Sequence, residues 1–354
     1  MRILFITGQL DIGGIECWLR DLTTLMLEKR TDLEIYILVD KPHKGALEDE
    51  LIDKGVKILR VNSSKNNKLI YMKDLYSTLK RYKFDVIHSN VSYTNGIISL
   101  IGFLLKIPIR ISHIHSNRNS KHFSPIKRMS SMLLKICMEF FSTHKIAVSE
   151  QSKSNYLFEK NVTVMACGIN LKGKESDIDI RKERDWLESD IILCSVGRLE
   201  RVKNHEFTIN LLSNLSSRYK LVLAGEGSLR TELENLVLEK NLQDRVIFLG
   251  GISSIISFLE KNVDILLFPS FHEGFGVVAI ESQLAGVPII ASTNVPTSTK
   301  ISNIINYIDL DNMNSWLDNI INIKKTKGKL EINVDIFDIE YNYNKLINIY
   351  LNKL

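Results

Sequence analysis

Two glutamates separated by seven residues, Glu273 and Glu281, flank a Gly274-Phe275-Gly276 loop that follows the apolar run 265–268 and Pro269. Glycines let backbone N–H groups come close to a ligand, and a helix starting just after them adds its N-terminal donors. Glu281 is expected inside that helix, near its first apolar face. A carboxylate there needs partners, and the vicinal diol of a ribose offers two donors. The plain alternative is a glutamate on a helix surface.

A second cluster is Gly197-Arg198-Leu199-Glu200-Arg201-Val202-Lys203-Asn204, again after an apolar run. An arginine and a lysine aimed at one spot suit a diphosphate, the first as a planar fork and the second as a point charge. A solvated charge pair at a helix start is the alternative. A third is Gly8-Gln9-Leu10-Asp11-Ile12-Gly13-Gly14. Its glycines do not follow the G-x-G-x-x-G order, which disfavours a nicotinamide dehydrogenase. Either Gly13 and Gly14 turn backbone N–H groups toward an anion or a sugar, or the segment is a plain tight turn. His113 and His115 lie on an apolar run and are expected on opposite faces of a sheet, with His115 reaching the site. His88, His122 and His144 read as structural.

The elements that must hold these residues are legible as alternating short apolar runs and helical periods. Residues 2–6, 34–39, 56–61, 84–88, 109–114 and 144–148 read as strands, and 15–27 as a helix with Leu19, Leu22, Leu25 and Met26 on one face. Ser149 is placed to cap a helix. After a polar stretch at 172–177 the pattern restarts, with strands at 191–196, 220–224, 246–249, 265–268 and 288–291 and helices at 229–239 and 277–284. Such alternation means parallel sheets wrapped by helices, and open sheets of this kind bind ligands beyond the carboxyl ends of their strands. The expected fold is therefore α/β, with two Rossmann-like doubly wound domains facing across a cleft. The expected boundaries are 1–168, 169–335 and a C-terminal helix, 336–354, returning to the first domain. Residues 302–324 and the tail, rich in Ile, Asn and Lys, read as compositional bias without chemistry.

Residues 124–141 open like a helix, with Ser124 as cap and Pro125 in the first turn. Met129, Met132, Leu133, Ile136 and Phe140 form a stripe on it. Two readings stay open: a core-packed helix, or a membrane-surface helix whose Lys127, Arg128 and Lys135 meet anionic headgroups.

The chain has 354 residues, 44% hydrophobic and 25% charged, which suits two soluble domains and excludes a disordered chain, a collagen-like fibre or a disulfide scaffold. Its longest apolar stretch, 97–105, is too short to span a membrane, and the N-terminus turns polar too soon for a signal peptide. Its four cysteines have no C-x-x-C spacing and are expected as core residues in a reducing compartment. Residues 1–170 carry 25 basic against 16 acidic residues, while 171–354 carry 21 against 25. A basic half suits a nucleic acid, an anionic membrane surface or a phosphorylated ligand, and a solvated surface is the plain alternative.

Taken together, the motifs resemble the family 4 glycosyltransferases of the GT-B fold over nearly the whole chain. Glu273-x7-Glu281 followed by Ala285-Gly286-Val287-Pro288 is similar to that family's E-x7-E signature. Gly197-Arg198-Leu199 with Lys203-Asn204, Gly225-Glu226-Gly227-Ser228-Leu229-Arg230, and Gly13-Gly14-Ile15-Glu16 resemble its other motifs, in the right order. Arg110-Ile111-Ser112-His113-Ile114-His115-Ser116-Asn117 and Asn314-Ser315-Trp316 resemble the branch that builds capsular, exopolysaccharide and O-antigen chains. One departure stands out: the family usually carries an acidic residue after a proline where this chain has Thr297, Ser298 and Thr299 after Pro296.

The resemblance implies transfer of a hexosyl or N-acetylhexosaminyl group from a nucleotide diphosphate donor, expected to be a UDP-sugar, with retention at the anomeric carbon. Arg198 and Lys203 would neutralise the diphosphate, so no metal or other cofactor is expected. Glu281 would hold the ribose. Glu273 would bind hydroxyls of the donor sugar beside the backbone N–H groups of Gly274, Phe275 and Gly276, and His115 would lie near the anomeric centre. Gly13 and Gly14 would line the site from the first domain. The expected acceptor is a saccharide, free or linked to polyprenyl diphosphate, met by a cytoplasmic protein at the inner face of the cell membrane. An anionic membrane surface is an expected partner and nucleic acid is not. The rivals are a nucleotide-sugar epimerase on the same fold and an inactive nucleotide-binding scaffold.

Overall fold

The computed structural model describes residues 1–61, 68–115, 124–171, 175–252, 254–323 and 335–351. Ser116, Asn117, His122 and residues 172–174 of the expected linker lie outside them. The chain divides into two compact units, 1–170 with 334–354, and 171–333.

The first unit runs β1 (Arg2–Thr7), α1 (Gly14–Lys29), β2 (Glu34–Val39), α2 (Glu48–Asp53), β3 (Lys57–Arg60), α3 (Lys68–Tyr82), β4 (Val86–Ser89), α4 (Asn95–Leu104), β5 (Ile109–Ile114), α5 (Pro125–Phe141), β6 (His144–Ala147) and β7 (Thr163–Val164). The strands form one parallel sheet in the order β3-β2-β1-β4-β5-β6-β7. Parallel strands covered on both faces read as continuous apolar runs, and Ile3 to Ile6 of β1 are fully buried. Leu75, Leu79, Ile98 and Ile101 of α3 and α4 pack on one face against Leu4, Ile6 and Leu38.

The second unit runs α6 (Ile180–Glu183), β8 (Ile191–Val196), α7 (His205–Ser213), β9 (Tyr219–Ala224), α8 (Arg230–Glu239), β10 (Val246–Gly250), α9 (Ile255–Asn262), β11 (Ile265–Phe268), α10 (Val277–Leu284), β12 (Ile289–Ser292), β13 (Ile305–Ile308) and α11 (Met313–Asn322). Its parallel sheet has the order β10-β9-β8-β11-β12-β13. The last helix, α12 (Ile339–Leu351), belongs to the first unit, where Trp18 Nε1 of α1 donates to Asn342 Oδ1 at 2.7 Å. Both doubly wound sheets expected from the sequence are present.

Several local expectations are corrected. Residues 302–324 are not mere compositional bias: they hold β13 and α11, with Trp316 buried and its indole N–H donating to Asp309 O at 3.0 Å. The tail has a core of its own, since Ile339, Tyr343, Leu346 and Tyr350 of α12 are all buried. Ser149 precedes only a short 3-10 turn, Gln151–Asn155, where its hydroxyl accepts the Ser152 N–H at 3.3 Å. Ser124 stands at the N-cap of α5 without a side-chain capping bond, and Pro125 begins the helix.

The core-packed reading of the α5 stripe holds only for Ile136, which is half-buried. Ile126, Met129 and Phe140 are 77%, 66% and 71% exposed, and Met132 and Leu133 are exposed as well. Among the described residues no helix is long and apolar enough to cross a membrane.

Candidate functional site

In each sheet the strand order reverses direction at one point, and ligands of open α/β sheets bind beyond the strand ends there. In the second unit that point lies between β8 and β11, which pair through Leu193–Ile265 and Cys194–Leu266. The loops leaving these two strands carry Arg198 with Lys203, and Glu273 with Gly274 to Gly276. They are tied together. The Phe271 N–H donates to Val202 O at 2.9 Å, and Asn204 Nδ2 donates to Pro269 O at 3.2 Å.

This tie brings Lys203 and Glu273 into contact across a sequence separation of 70 residues. Lys203 Nζ donates to Glu273 Oε1 at 2.5 Å and sits 5.4 Å from the Phe268 ring centroid. The Ser270 hydroxyl donates to the same Oε1 at 2.7 Å. Both contacts fall on one oxygen of a buried carboxylate. Arg198, on the same loop as Lys203, is exposed and makes no ion pair among the described residues.

The β8 loop is buttressed from two sides. His205, buried at the start of α7, reaches back so that its Nε2 lies 3.2 Å from both Gly197 O and Arg198 O, while Nδ1 meets Ser195 Oγ at 3.1 Å. Burial lowers the His205 pKa to about 4, so it acts as a neutral brace. The turn after β9 is the second support. Leu199 N–H donates to Glu226 O at 2.9 Å, Leu229 N–H donates to Leu199 O at 3.0 Å, and a Cβ at Gly225 would collide with Gly197 O. Arg230 of that turn is engaged locally, with Glu234 at 2.5 Å and over Phe248.

Helix α10 opens at Gly276, whose φ of +87° and ψ of 56° place it in the left-handed region. The turn aims the first N–H groups of α10 out of the helix end beside Glu273. Phe275 is buried, so only its backbone is available to a ligand. Glu281 is half-buried in the second turn of α10. Gly276→Ala should cost about 1–2 kcal/mol for a left-handed non-glycine residue, aggravated by Phe268 Cε1 lying 3.1 Å from the new Cβ. A lowered melting temperature together with weakened nucleotide binding is the expected result; an unchanged melt would show that the turn is not held in this conformation.

In the first unit the reversal lies between β1 and β4. Gly13 caps α1 and Gly14 begins it. A Cβ at Gly13 would strike the carboxylate of Glu16, which therefore already serves this helix end and makes it a poorer place for a phosphate than for a sugar hydroxyl. His115 follows β5. Its Nε2 donates to Asn90 Oδ1 at 2.8 Å, which leaves Nδ1 to accept from Cys167 Sγ at 3.3 Å.

The expected split of His113 and His115 onto opposite sheet faces is not observed. Residues two apart along an extended chain point to the same face, so His113 at the end of β5 and His115 just after it fall on one side, their rings tilted against each other with centroids 3.8 Å apart. His88 joins them, with its Nε2 3.1 Å from His113 Nδ1 and its Nδ1 2.6 Å from the Tyr350 hydroxyl. Trp18 packs on all three rings. Burial pushes His88 and His115 down to about 3, and His113 well below its ordinary value. Sequence reasoning missed His205, Asn90, Cys167, Trp18, Asn342 and Tyr350. Of these only His205 carried a local signal, by following Lys203-Asn204 directly. Among the described residues no group of three or more His, Cys, Asp or Glu side chains is placed to hold a metal ion.

Comparison with known proteins adds the following. The family model described as "Glycosyltransferase Family 4" matches residues 12–172, and that described as "Glycosyl transferases group 1" matches residues 176–303. A capsular polysaccharide biosynthesis glycosyltransferase, CapH, of Staphylococcus aureus is 24% identical over 368 residues, covering 100% of this chain and 99% of that protein. A UDP-Gal:alpha-D-GlcNAc-diphosphoundecaprenol alpha-1,3-galactosyltransferase of Escherichia coli is 23% identical, covering 93% and 91%. The solved structure of HepE from Anabaena, in complex with UDP and glucose, matches with a TM-score of 0.78 at 20% identity, covering 98% of both chains.

Proposed function

The chain belongs to the family 4 glycosyltransferases of the GT-B fold, and from that premise we propose that it transfers a sugar from a UDP-linked donor to a saccharide carried on polyprenyl diphosphate, with retention at the anomeric carbon, in cell-surface polysaccharide synthesis. The observation that carries the donor half is the meeting of Lys203 and Glu273 at the sheet's reversal point, beside the exposed Arg198 and the N-terminus of α10. The acceptor half rests on relatives, one of which is named for a diphosphoundecaprenol-linked acceptor.

In this reading the second unit binds the donor. Arg198 and the α10 N-terminus take the diphosphate, Glu281 takes the ribose diol, and Glu273 offers Oε2 to hydroxyls of the sugar. The bond from the anomeric carbon to the diphosphate oxygen breaks, and the acceptor oxygen bonds to the same face of that carbon. The acceptor's proton passes to a phosphate oxygen, and UDP leaves. Negative charge grows on the diphosphate as the bond breaks, and Arg198 and Lys203 meet it without a metal. His115 stays neutral and acts through its position, since its N–H is donated to Asn90 and its ring lone pair faces Cys167. The first unit binds the acceptor, with Gly13 and Gly14 facing a sugar, at the cytoplasmic face of a membrane.

Nucleotide binding tests the reading directly. UDP at a hundred times its Kd should stabilise the protein by about 2.7 kcal/mol, whereas NAD and ATP should not. Glu281→Ala should weaken UDP itself by about 1.5–3 kcal/mol through loss of charged hydrogen bonds. Calorimetry showing equal UDP affinity for both proteins would remove Glu281 from the ribose.

A further inference from the structure

We propose that α5 is an interfacial helix that docks the first unit on an anionic lipid bilayer, its outward apolar stripe entering the headgroup boundary. The inference deepens the membrane part of the proposed function and rests on it only for why the enzyme should be at a membrane.

Helix α5 is apolar on both sides. Its inward side carries Ser131 and Met138, the latter in the core, with Leu134, Ile136 and Cys137 half-buried, and Glu139 forms an ion pair with Lys145 of β6 whose side chains are both buried. Its outward face carries Ile126, Met129, Leu133 and Phe140 at helical spacing, all exposed. The helix cannot roll to bury them. A Cβ at Gly96 of α4 would collide with Leu134 O, so the two helices are in backbone contact, and turning α5 would drag Glu139 away from Lys145. Seventeen residues of helix are thus held with this apolar stripe facing out.

The stripe continues onto the end of α4. Phe103 and Leu104 are exposed, and the Phe103 ring lies 5.1 Å from that of Phe141. Exposed apolar surface of this extent marks an interaction site.

Charge selects lipid over protein as the occupant. Lys127 and Arg128 are exposed at one end of the stripe and Lys106 at the other. The only acidic residue of α5, Glu139, is the one turned inside. Lys135 is not part of this set, since its Nζ donates to Ser154 O at 3.2 Å and lies over the Tyr93 ring. An apolar stripe with cations at both ends and no exposed carboxylate matches an amphipathic helix lying in the plane of an anionic surface.

The test is co-sedimentation of the full chain with phosphatidylglycerol-containing vesicles and with pure phosphatidylcholine vesicles, alongside UDP calorimetry. The protein should bind the anionic vesicles, more tightly at low salt than at about 0.15 M, where screening shortens to about 8 Å. Met129→Ser/Phe140→Ser should weaken vesicle binding roughly 100-fold, with the melting temperature and UDP binding unchanged because both side chains are exposed. Lys127→Gln/Arg128→Gln should cost about 30-fold on anionic vesicles and little on neutral ones.

Failure of the parent protein to bind anionic vesicles at low salt, or wild-type binding by the Met129→Ser/Phe140→Ser variant, would overturn the proposal. So would a dimer in sedimentation equilibrium that this variant dissolves, because the occupant would then be a second copy. Vesicle binding without UDP binding would count against the donor reading alone, and UDP binding without vesicle binding against this inference alone.

Discussion

Lys203→Ala should lower kcat by about 10²–10³-fold, the scale of losing one donor that meets developing oxyanion charge. The ammonium group is bound to Glu273 at 2.5 Å, so in the proposed reading a donor's diphosphate would draw Lys203 from a carboxylate or share it with one. Either way the lysine is in place before charge develops, which is what preorganised stabilisation requires. The same contact adds a second effect. Removing the lysine leaves Glu273 buried with Ser270 as its remaining hydrogen-bond donor, and an under-satisfied buried carboxylate costs about 1–3 kcal/mol. Lys203→Ala should therefore lose melting temperature as well as rate. The double variant Lys203→Ala/Glu273→Gln separates the two effects, since a neutral amide no longer needs the cation. It should recover most of the lost melting temperature and none of the rate. Recovery of rate along with stability would mean that Lys203 only holds Glu273 in place. Arg198→Lys should also be harmful, because an ammonium cannot reproduce a planar fork on two oxygens. Activity should survive EDTA; abolition by EDTA and rescue by Mg²⁺ would reassign charge neutralisation away from Arg198 and Lys203.

What the sequence made legible follows from how parallel sheets are built. Runs such as Ile191–Val196 and Ile265–Phe268 are buried on both faces and so read as unbroken apolar segments, whose ends set the loops where Gly197 and Glu273 lie. Edge strand β13, Ile-Asn-Tyr-Ile, lacks that signature because only its first residue is buried, and it vanished into an Ile- and Asn-rich background. Periodicity showed the apolar stripe of α5 but not which side faces the core. That is settled by Glu139 with Lys145 and by the close approach at Gly96, neither of which is a pattern along one helix. The Lys203–Glu273 contact needs strand order, since β8 and β11 are neighbours although β9 and β10 intervene in sequence. The surroundings of His115 were least legible. Trp18 and Asn342 are 324 residues apart, and His88 and Tyr350 are 262 apart, so no local spacing announces either pair.

Those long-range contacts make the first unit acid-sensitive. His88 and His113 are buried under Trp18 and Tyr350 with His115 half-buried beside them, and desolvation, reinforced at His88 and His113 by neighbouring histidines, holds all three well below the ordinary value of 6.5. Their neighbours do not compensate across this range, because burial pushes the Cys167 thiol and the Tyr350 hydroxyl upward and both stay neutral. The unfolded chain takes up protons as pH falls below about 6.5, whereas the folded chain does so only near pH 3, the value for His88 and His115. Stability is thus complete above the unfolded value and is lost as pH falls between the two. A histidine held that low contributes about 1.4 kcal/mol per pH unit in that window, so His88 and His115 together remove about 3 kcal/mol by pH 5.5, with His113 acting in the same direction, against a typical total of about 5–15 kcal/mol. In the second unit His205 is lowered only to about 4 and makes one such contribution. The first unit should therefore unfold at higher pH than the second, seen as a change in Trp18 emission that precedes the change in Trp186 and Trp316. His88→Gln, which keeps a donor and an acceptor beside Tyr350 but cannot titrate, should remove about a third of the slope of stability against pH. A melting temperature that stays flat between pH 6.5 and 4.5 would show that the three rings are not held neutral in the fold.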